Sequence, residues 1–325
     1  MDLQSVKTVG ILGLGTMGHG IAQVFAMAGF QVRCYDAEAD VRDIVLDRIR
    51  DNLSRMVAAG IIANEVIEET LGRITVCADE SAAVQSTEFV TEAVAEELQV
   101  KQDLLARIES DVSPDTILAS NSSSFTITQS SVKMIRPERA VITHWFNPPH
   151  ILPVVEVVPG EKTSEETTTT TSHLLRRIGK KVIRINKEIP GFLVNRVQTA
   201  MYREIWDLLD RGVASAEDID EAICGSMGLR LAAVGPLKIN DFAGIDIVMQ
   251  TYKVLVSDMR GNDEVPATIE RLAAAGHYGT KTGRGIYEYT AEAIREDYAK
   301  RDQRYLALVK LLCGEPSKMA DGMSE

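Results

Sequence analysis

The chain has 325 residues, 45% apolar and 25% charged, enough for a packed core in one large or two medium domains. A net charge of −12 excludes nucleic acid or an anionic membrane as the main partner. No apolar run reaches the ~18 residues that would suggest a bilayer span.

The N-terminal stretch Met1–Lys7 lacks the charged-then-apolar layout of a signal peptide, so a cytoplasmic location is expected. Cys34, Cys77, Cys224 and Cys313 stand far apart with no Cys-x-x-Cys pair. Buried free thiols are expected rather than disulfides or a structural zinc, and no metal site is foreseen.

In chain order, strands are predicted at Thr8–Leu12, Gln31–Tyr35, Ile74–Cys77, Phe89–Thr91, Ile117–Ala119, Ala140–Thr143, Val154–Val158 and Lys181–Ile185. Helical periodicity lies between them, as at Val41–Ala59 and Leu98–Ser110. The run Thr167–Thr171 reads as the start of a helix, because Thr163 and Glu166 have capping-box spacing and Leu174, Leu175 and Ile178 follow at helical intervals. Strands alternating with helices predict an α/β, doubly wound parallel sheet. From Pro190 onward only helical patterns occur: Phe192–Arg211, Ala216–Met227, Ile245–Met259 and Glu292–Leu312. The expected organisation is therefore a sheet domain over 1–189 and an all-helical domain over 190–325, with the active site between them.

Gly13-Leu14-Gly15-Thr16-Met17-Gly18 follows the first strand and opens a helix. Gly13 permits the tight turn, Gly15 lets the backbone approach a pyrophosphate, and Gly18 lets the helix pack on the sheet. Asp36 closes the second strand, where a carboxylate accepts hydrogen bonds from the adenosine ribose and repels a 2′-phosphate. A Rossmann-type site for NAD is predicted, with Thr16 and Met17 in its loop. His19, on the first helical turn, reads as a surface residue.

His144 ends the strand Ala140–Thr143, at the edge where open parallel sheets hold ligands. Glu156 interrupts the apolar run Val154–Val158, where a carboxylate is costly unless paired. Two readings stand. Either the two side chains pair and His144 removes a hydroxyl proton during hydride transfer, or Glu156 is exposed and His144 is structural. The loop Ser120–Phe125 follows another strand end and can aim a hydroxyl at a substrate oxygen, or cap a helix. Asn195, in Pro190–Arg196, opens the helical half, where its amide either reaches into the cleft or caps a turn.

These segments, with Glu92–Glu96, His144–Pro148 and Lys281–Tyr287, resemble the 3-hydroxyacyl-CoA dehydrogenase family from Lys7 to about Tyr289. The resemblance implies an NAD-dependent oxidoreductase converting a secondary alcohol, foremost an L-3-hydroxyacyl-CoA of fatty acid metabolism, to a ketone. It implies that His144 is the general base, Glu156 its orienting partner, and Ser123 and Asn195 the groups bonding the reacting oxygen. Glu96, Lys101, Asn147 and Lys281 match NAD-contacting positions, and a homodimer through the C-terminal domain is implied.

Two departures bear on the substrate. CoA-using relatives carry a lysine on the helical arm after the second strand, whereas no lysine lies between Lys7 and Lys101 here. Arg55 and Arg73 are the available substitutes. The turn Gly228–Pro236 is longer than in the CoA enzymes and looks like branches acting on free acids, the gulonate and pyridine-carboxylate dehydrogenases, whereas the serine loop Ser122-Ser123-Ser124 looks closer to the CoA enzymes. Arg230 either faces the cleft and clamps a substrate carboxylate, or is a solvated arginine at a helix end. A non-catalytic, crystallin-like NAD-binding protein is the reading from another class.

Overall fold

The computed structural model describes residues 6–313, so Met1–Ser5, read above for a leader, lie outside the described residues. Two compact units form: residues 6–193 together with 301–313, and residues 194–300.

In the first unit β1 (Thr8–Leu12), α1 (Gly18–Met27), β2 (Gln31–Tyr35), α2 (Ala39–Ala58), α3 (Glu65–Leu71), β3 (Ile74–Val76), α4 (Glu80–Val84), β4 (Phe89–Glu92), α5 (Leu98–Ile108), β5 (Ile117–Ser120), α6 (Ile127–Ser130), β6 (Ala140–Trp145), β7 (Val154–Val158), α7 (Glu165–Arg177) and β8 (Lys181–Arg184) follow in turn. Every predicted strand is present, in one sheet of order β3-β2-β1-β4-β5-β6-β7-β8. The sheet is mixed rather than wholly parallel, since β7 runs antiparallel to β6, pairing His144 with Glu156. The connection at 146–153 is too short for the crossover a parallel partner needs, of about a dozen residues.

Helices cover both faces, which is why the strands read as continuous apolar runs. On one face Phe25 of α1 packs edge-on to Phe30 at 5.8 Å and against Phe89 and Trp145 at 6.1 Å. On the other, Leu104, Leu105 and Ile108 of α5 pack against Leu12 and Leu118. The threonine run lies in α7, largely buried, with Thr168 and Ser172 returning hydrogen bonds to carbonyls one turn back. Its cap sits one residue later than predicted. Ser164 accepts the Thr167 N–H, whereas Thr163 donates to Ala140 O at 2.7 Å and ties the helix entry to β6.

The second unit contains α8 (Val194–Asp210), α9 (Ala216–Ala222), α10 (Leu229–Ala233), α11 (Pro236–Ala243), α12 (Ile245–Leu255), α13 (Ala267–Ala274) and the start of α14 (Ala291–Cys313). A π-helical turn at Ile223–Gly228 joins α9 to α10, so the helix predicted to stop at Met227 continues. Ile219 of α9 is buried, but most apolar side chains here are not: Leu237, Phe242 and Val254 are each more than 70% exposed.

The end of α14 belongs to the first unit. Asp302, Leu306 and Val309 recur at helical spacing, and Leu306 packs with Met56 of α2 and Ile151. The Asp302 carboxylate, 3% exposed as a residue, accepts from Arg55 at 3.0 Å and from Arg301 at 2.7 Å. The helix that the sequence assigned wholly to the second domain thus ends on α2. Cys34 and Cys77 are buried as expected, but Cys224 is exposed. Among the described residues no single helix is long and apolar enough to cross a membrane.

Candidate active site

The loop between β1 and α1 has the shape a dinucleotide needs. Gly13 is left-handed (φ +86°), and a Cβ there would lie 2.6 Å from Ala93 O. A Cβ on Gly18 would collide with Gly13 O at 1.7 Å, whereas one on Gly15 would meet nothing within 4 Å. Two glycines therefore close the turn and the third leaves its outer surface open to a phosphate. α1 starts at Gly18, with Met17 at its N-cap and Thr16 exposed. This end concentrates free N–H groups and positive dipole.

Asp36, at the end of β2, accepts the Leu14 N–H at 2.6 Å and so locks the glycine loop to its neighbouring strand. Further lone pairs of the carboxylate remain for a ribose hydroxyl. Arg42 brings a cation near, one the sequence reading overlooked, but it donates to the carbonyls of Asp36 and Ala37. The cradle fits NAD.

His19 is not the surface residue expected. It is 8% exposed, and its Nδ1 donates to Gly15 O at 2.7 Å, bracing the loop from below. Burial pushes its pKa down from 6.5 to about 4. The folded chain holds this imidazole neutral while the unfolded chain takes up a proton below pH 6.5, so stability falls as pH drops through the window from 6.5 to about 4. By pH ~5 the loss is about 2 kcal/mol. In urea unfolding at pH ~7 and ~5, His19→Asn, which cannot titrate, is expected to lose this share of the acid sensitivity. An unchanged difference would contradict it.

β6 and β7 carry the central pair. His144 and Glu156 face each other across the antiparallel ladder, Nδ1 to Oε2, at 2.7 Å, with exposures of 2% and 0%. A carboxylate only accepts, so Nδ1 carries the proton and Nε2 keeps a lone pair. The second Glu156 oxygen accepts the Leu193 N–H at 3.2 Å. The imidazole is held between two rings, Phe146 at 4.7 Å and Phe192 at 5.4 Å. Phe192 has a left-handed backbone (φ +52°), a conformation a bulky residue keeps only when its surroundings require it. The two side chains pair, and Glu156 is not on an exposed face.

The serine loop after β5 hangs on Glu96. One Glu96 oxygen accepts from the Ser122 hydroxyl and from the N–H groups of Ser123 and Ser124, each at 2.8 Å. Burial pushes this carboxyl up, but Lys101 and the three serine donors outweigh it and hold it below the usual range. Lys101 is 1% exposed, with Nζ 2.6 Å from Glu92 and 3.2 Å from Glu96. Sequence reasoning gave Glu92 no separate role. It is fully buried, accepts from Ser120 at 3.0 Å, and anchors both lysine and loop. Burial pushes its pKa up, against the pull of Lys101. The signal was available: Glu92 ends an apolar strand as Glu156 interrupts one. Asn121 was also passed over, and its Oδ1 accepts the Trp145 N–H at 3.0 Å, joining this loop to β6.

The structure thus brings together His144 and Glu156 in one pair, and Glu96 and Lys101 with Ser123 in a second group. Asn147 is exposed just beyond β6. In the second unit Asn195 lies in the first turn of α8, Lys281 is exposed, and Arg230 is exposed on α10 with Nε donating weakly to Ser226 O at 3.4 Å.

Two family models match the chain: the 3-hydroxyacyl-CoA dehydrogenase NAD binding domain over residues 8–189, and the C-terminal domain of the same enzymes over 191–289. The 5-formyl-3-hydroxy-2-methylpyridine 4-carboxylate 5-dehydrogenase of Mesorhizobium japonicum is 34% identical over 95% of this chain and 99% of its own. A solved structure of an enzyme of that activity, described as an NAD+ dependent dismutase, superposes with a TM-score of 0.89 at 34% identity, covering 95% of this chain and 99% of the other. The (S)-3-hydroxybutyryl-CoA dehydrogenase of Ralstonia eutropha superposes with a TM-score of 0.70 at 33% identity, over 88% of this chain and all of its own.

Proposed function

Because the chain belongs to the 3-hydroxyacyl-CoA dehydrogenase family and is an NAD-dependent oxidoreductase acting on CH–OH, we propose that its substrate is a small free carboxylic acid carrying an alcohol or a hydrated aldehyde. NAD, when bound, supplies the hydride acceptor. His144 Nε2 takes the hydroxyl proton as the C–H bond breaks, and Glu156 stabilises the imidazolium so formed. Ser123 and Asn195 are assigned to the reacting oxygen. Glu96 and Lys101 hold the serine loop in place, with Glu96, Asn147 and Lys281 assigned to the cofactor; Lys101, also expected to contact NAD, is 1% exposed and engaged by Glu92 and Glu96, and is assigned to the loop instead.

The sequence reading put a CoA thioester first. The observation that favours a free acid is the Arg55–Asp302 ion pair at 3.0 Å. The arm that would need a cation for a CoA phosphate is covered by the end of α14, and its arginine is engaged. The other substitute, Arg73, sits 3.6 Å from Glu69 and donates to Ala26 O. The pyridine-carboxylate relative matches nearly end to end, whereas the CoA relative leaves out part of this chain. The CoA reading keeps the support of a similar identity, 33%.

A substrate panel followed by nicotinamide absorbance tests this. Aromatic or aliphatic free hydroxy and formyl acids should exceed acetoacetyl-CoA by about a hundredfold or more in kcat/KM. Faster turnover of acetoacetyl-CoA would reverse the assignment. Arg230 is the cation assigned to the carboxylate. Arg230→Leu should raise KM for the acid by about tenfold with kcat little changed, and an unchanged KM removes that role.

We infer also that a second copy covers the apolar side chains of the second unit, giving the family's homodimer. Light scattering should return twice the mass of one chain, and a single-chain mass would contradict it.

A further inference from the structure

The sheet face opposite His144 carries a cavity that the dehydrogenase chemistry does not use. Trp145, one residue on, points to this face. The cavity is about 460 Å³, within the range of small-molecule sites. Val24 of α1, Met56 of α2, Ile151 and Leu306 of α14 form apolar walls.

Its polar side chains are Lys180, His150 and Arg177. Lys180 is 8% exposed, and burial pushes its pKa down to about 7; two of its N–H donors go to Pro149 O at 2.6 Å and Leu152 O at 2.8 Å, and the protonated amine has a third, which a carboxylate would hold in place. His150 is neutral, since burial, assisted by nearby cations, pushes its pKa down to about 3. Its Nδ1 is buried without a partner among the described residues, close to where a Cβ on Gly20 would stand. An orphaned lone pair is cheaper than an orphaned N–H, which puts the proton on Nε2 of a side chain that lines the cavity. Arg177 adds a guanidinium, 4.7 Å over the Phe30 ring. No aspartate or glutamate is among the described lining residues, on a chain whose net charge is −12.

Apolar walls with buried nitrogen-bearing side chains and no carboxylate match one chemistry. We propose that this cavity binds a medium-chain aliphatic carboxylate, separately from the dinucleotide site, with Lys180 and His150 donating to the carboxylate and α14 covering the chain. The closed-in lysine sets the charge preference, while the α1–α2–α14 walls set the length.

Calorimetric titration of the full chain with octanoate, in saturating NADH to fill the cofactor site, tests this. One octanoate per chain is expected. Val309→Trp, which fills the cavity from the half-buried side of α14, should weaken it by about tenfold or more, with NADH affinity and turnover retained. Lys180→Met should erase the preference for octanoate over octanol. Absence of saturable octanoate binding overturns the proposal. So does binding that persists undiminished in a folded Val309→Trp chain, because the ligand then sits elsewhere.

Discussion

Replacing His144 by alanine is expected to lower kcat/KM for NAD reduction by about 10²–10⁴-fold while NADH affinity stays within about twofold of the parent. The split follows from position. His144 lies on β6 with Nε2 as its basic atom, whereas the dinucleotide cradle is made by the β1–α1 turn and Asp36, and shares no side chain with it. Glu156→Gln keeps shape and volume but removes the charge that stabilises the imidazolium. Its turnover should fall while the melting temperature changes little. Full activity in a folded His144→Ala chain would remove the base assignment.

The second large effect is on stability. Lys101→Met strips the cation from a Glu92 carboxylate with 0% exposure, and breaking a buried pair from one side typically costs about 3–5 kcal/mol. Glu92→Gln in the same background should restore much of that loss, because the amide still meets Ser120 without a stranded charge. Urea unfolding of the parent and the two variants measures it. If Lys101→Met alone matched the parent, the pair would have no structural weight. The double variant should remain slow, since Glu96 loses the cation that helps place the serine loop.

The strands were legible because a sheet covered on both faces needs uninterrupted apolar runs, and those runs are short and bounded by turns. The His144–Glu156 pair was legible for a related reason: a glutamate among valines demands a partner. That argument applied equally to Glu92 and failed only because the strand was ended at Thr91, one residue early. His19 was misread because its burial depends on packing and a loop carbonyl, not on its own helical turn. The reversal of β7 was implicit in the short connection at 146–153. The seat of α14 was not readable at all: its seam of Asp302, Leu306 and Val309 is an ordinary amphipathic stripe, and only the fold reveals that α2 is its partner.

A crystal structure of the NADH complex tests the central claim most directly. The account predicts the adenosine ribose on Asp36, the pyrophosphate over Gly15, and the nicotinamide ring within hydride reach of a substrate bonded to His144 Nε2. A nicotinamide lodged on the far side of the sheet, or an imidazole swung away from Glu156, would contradict it.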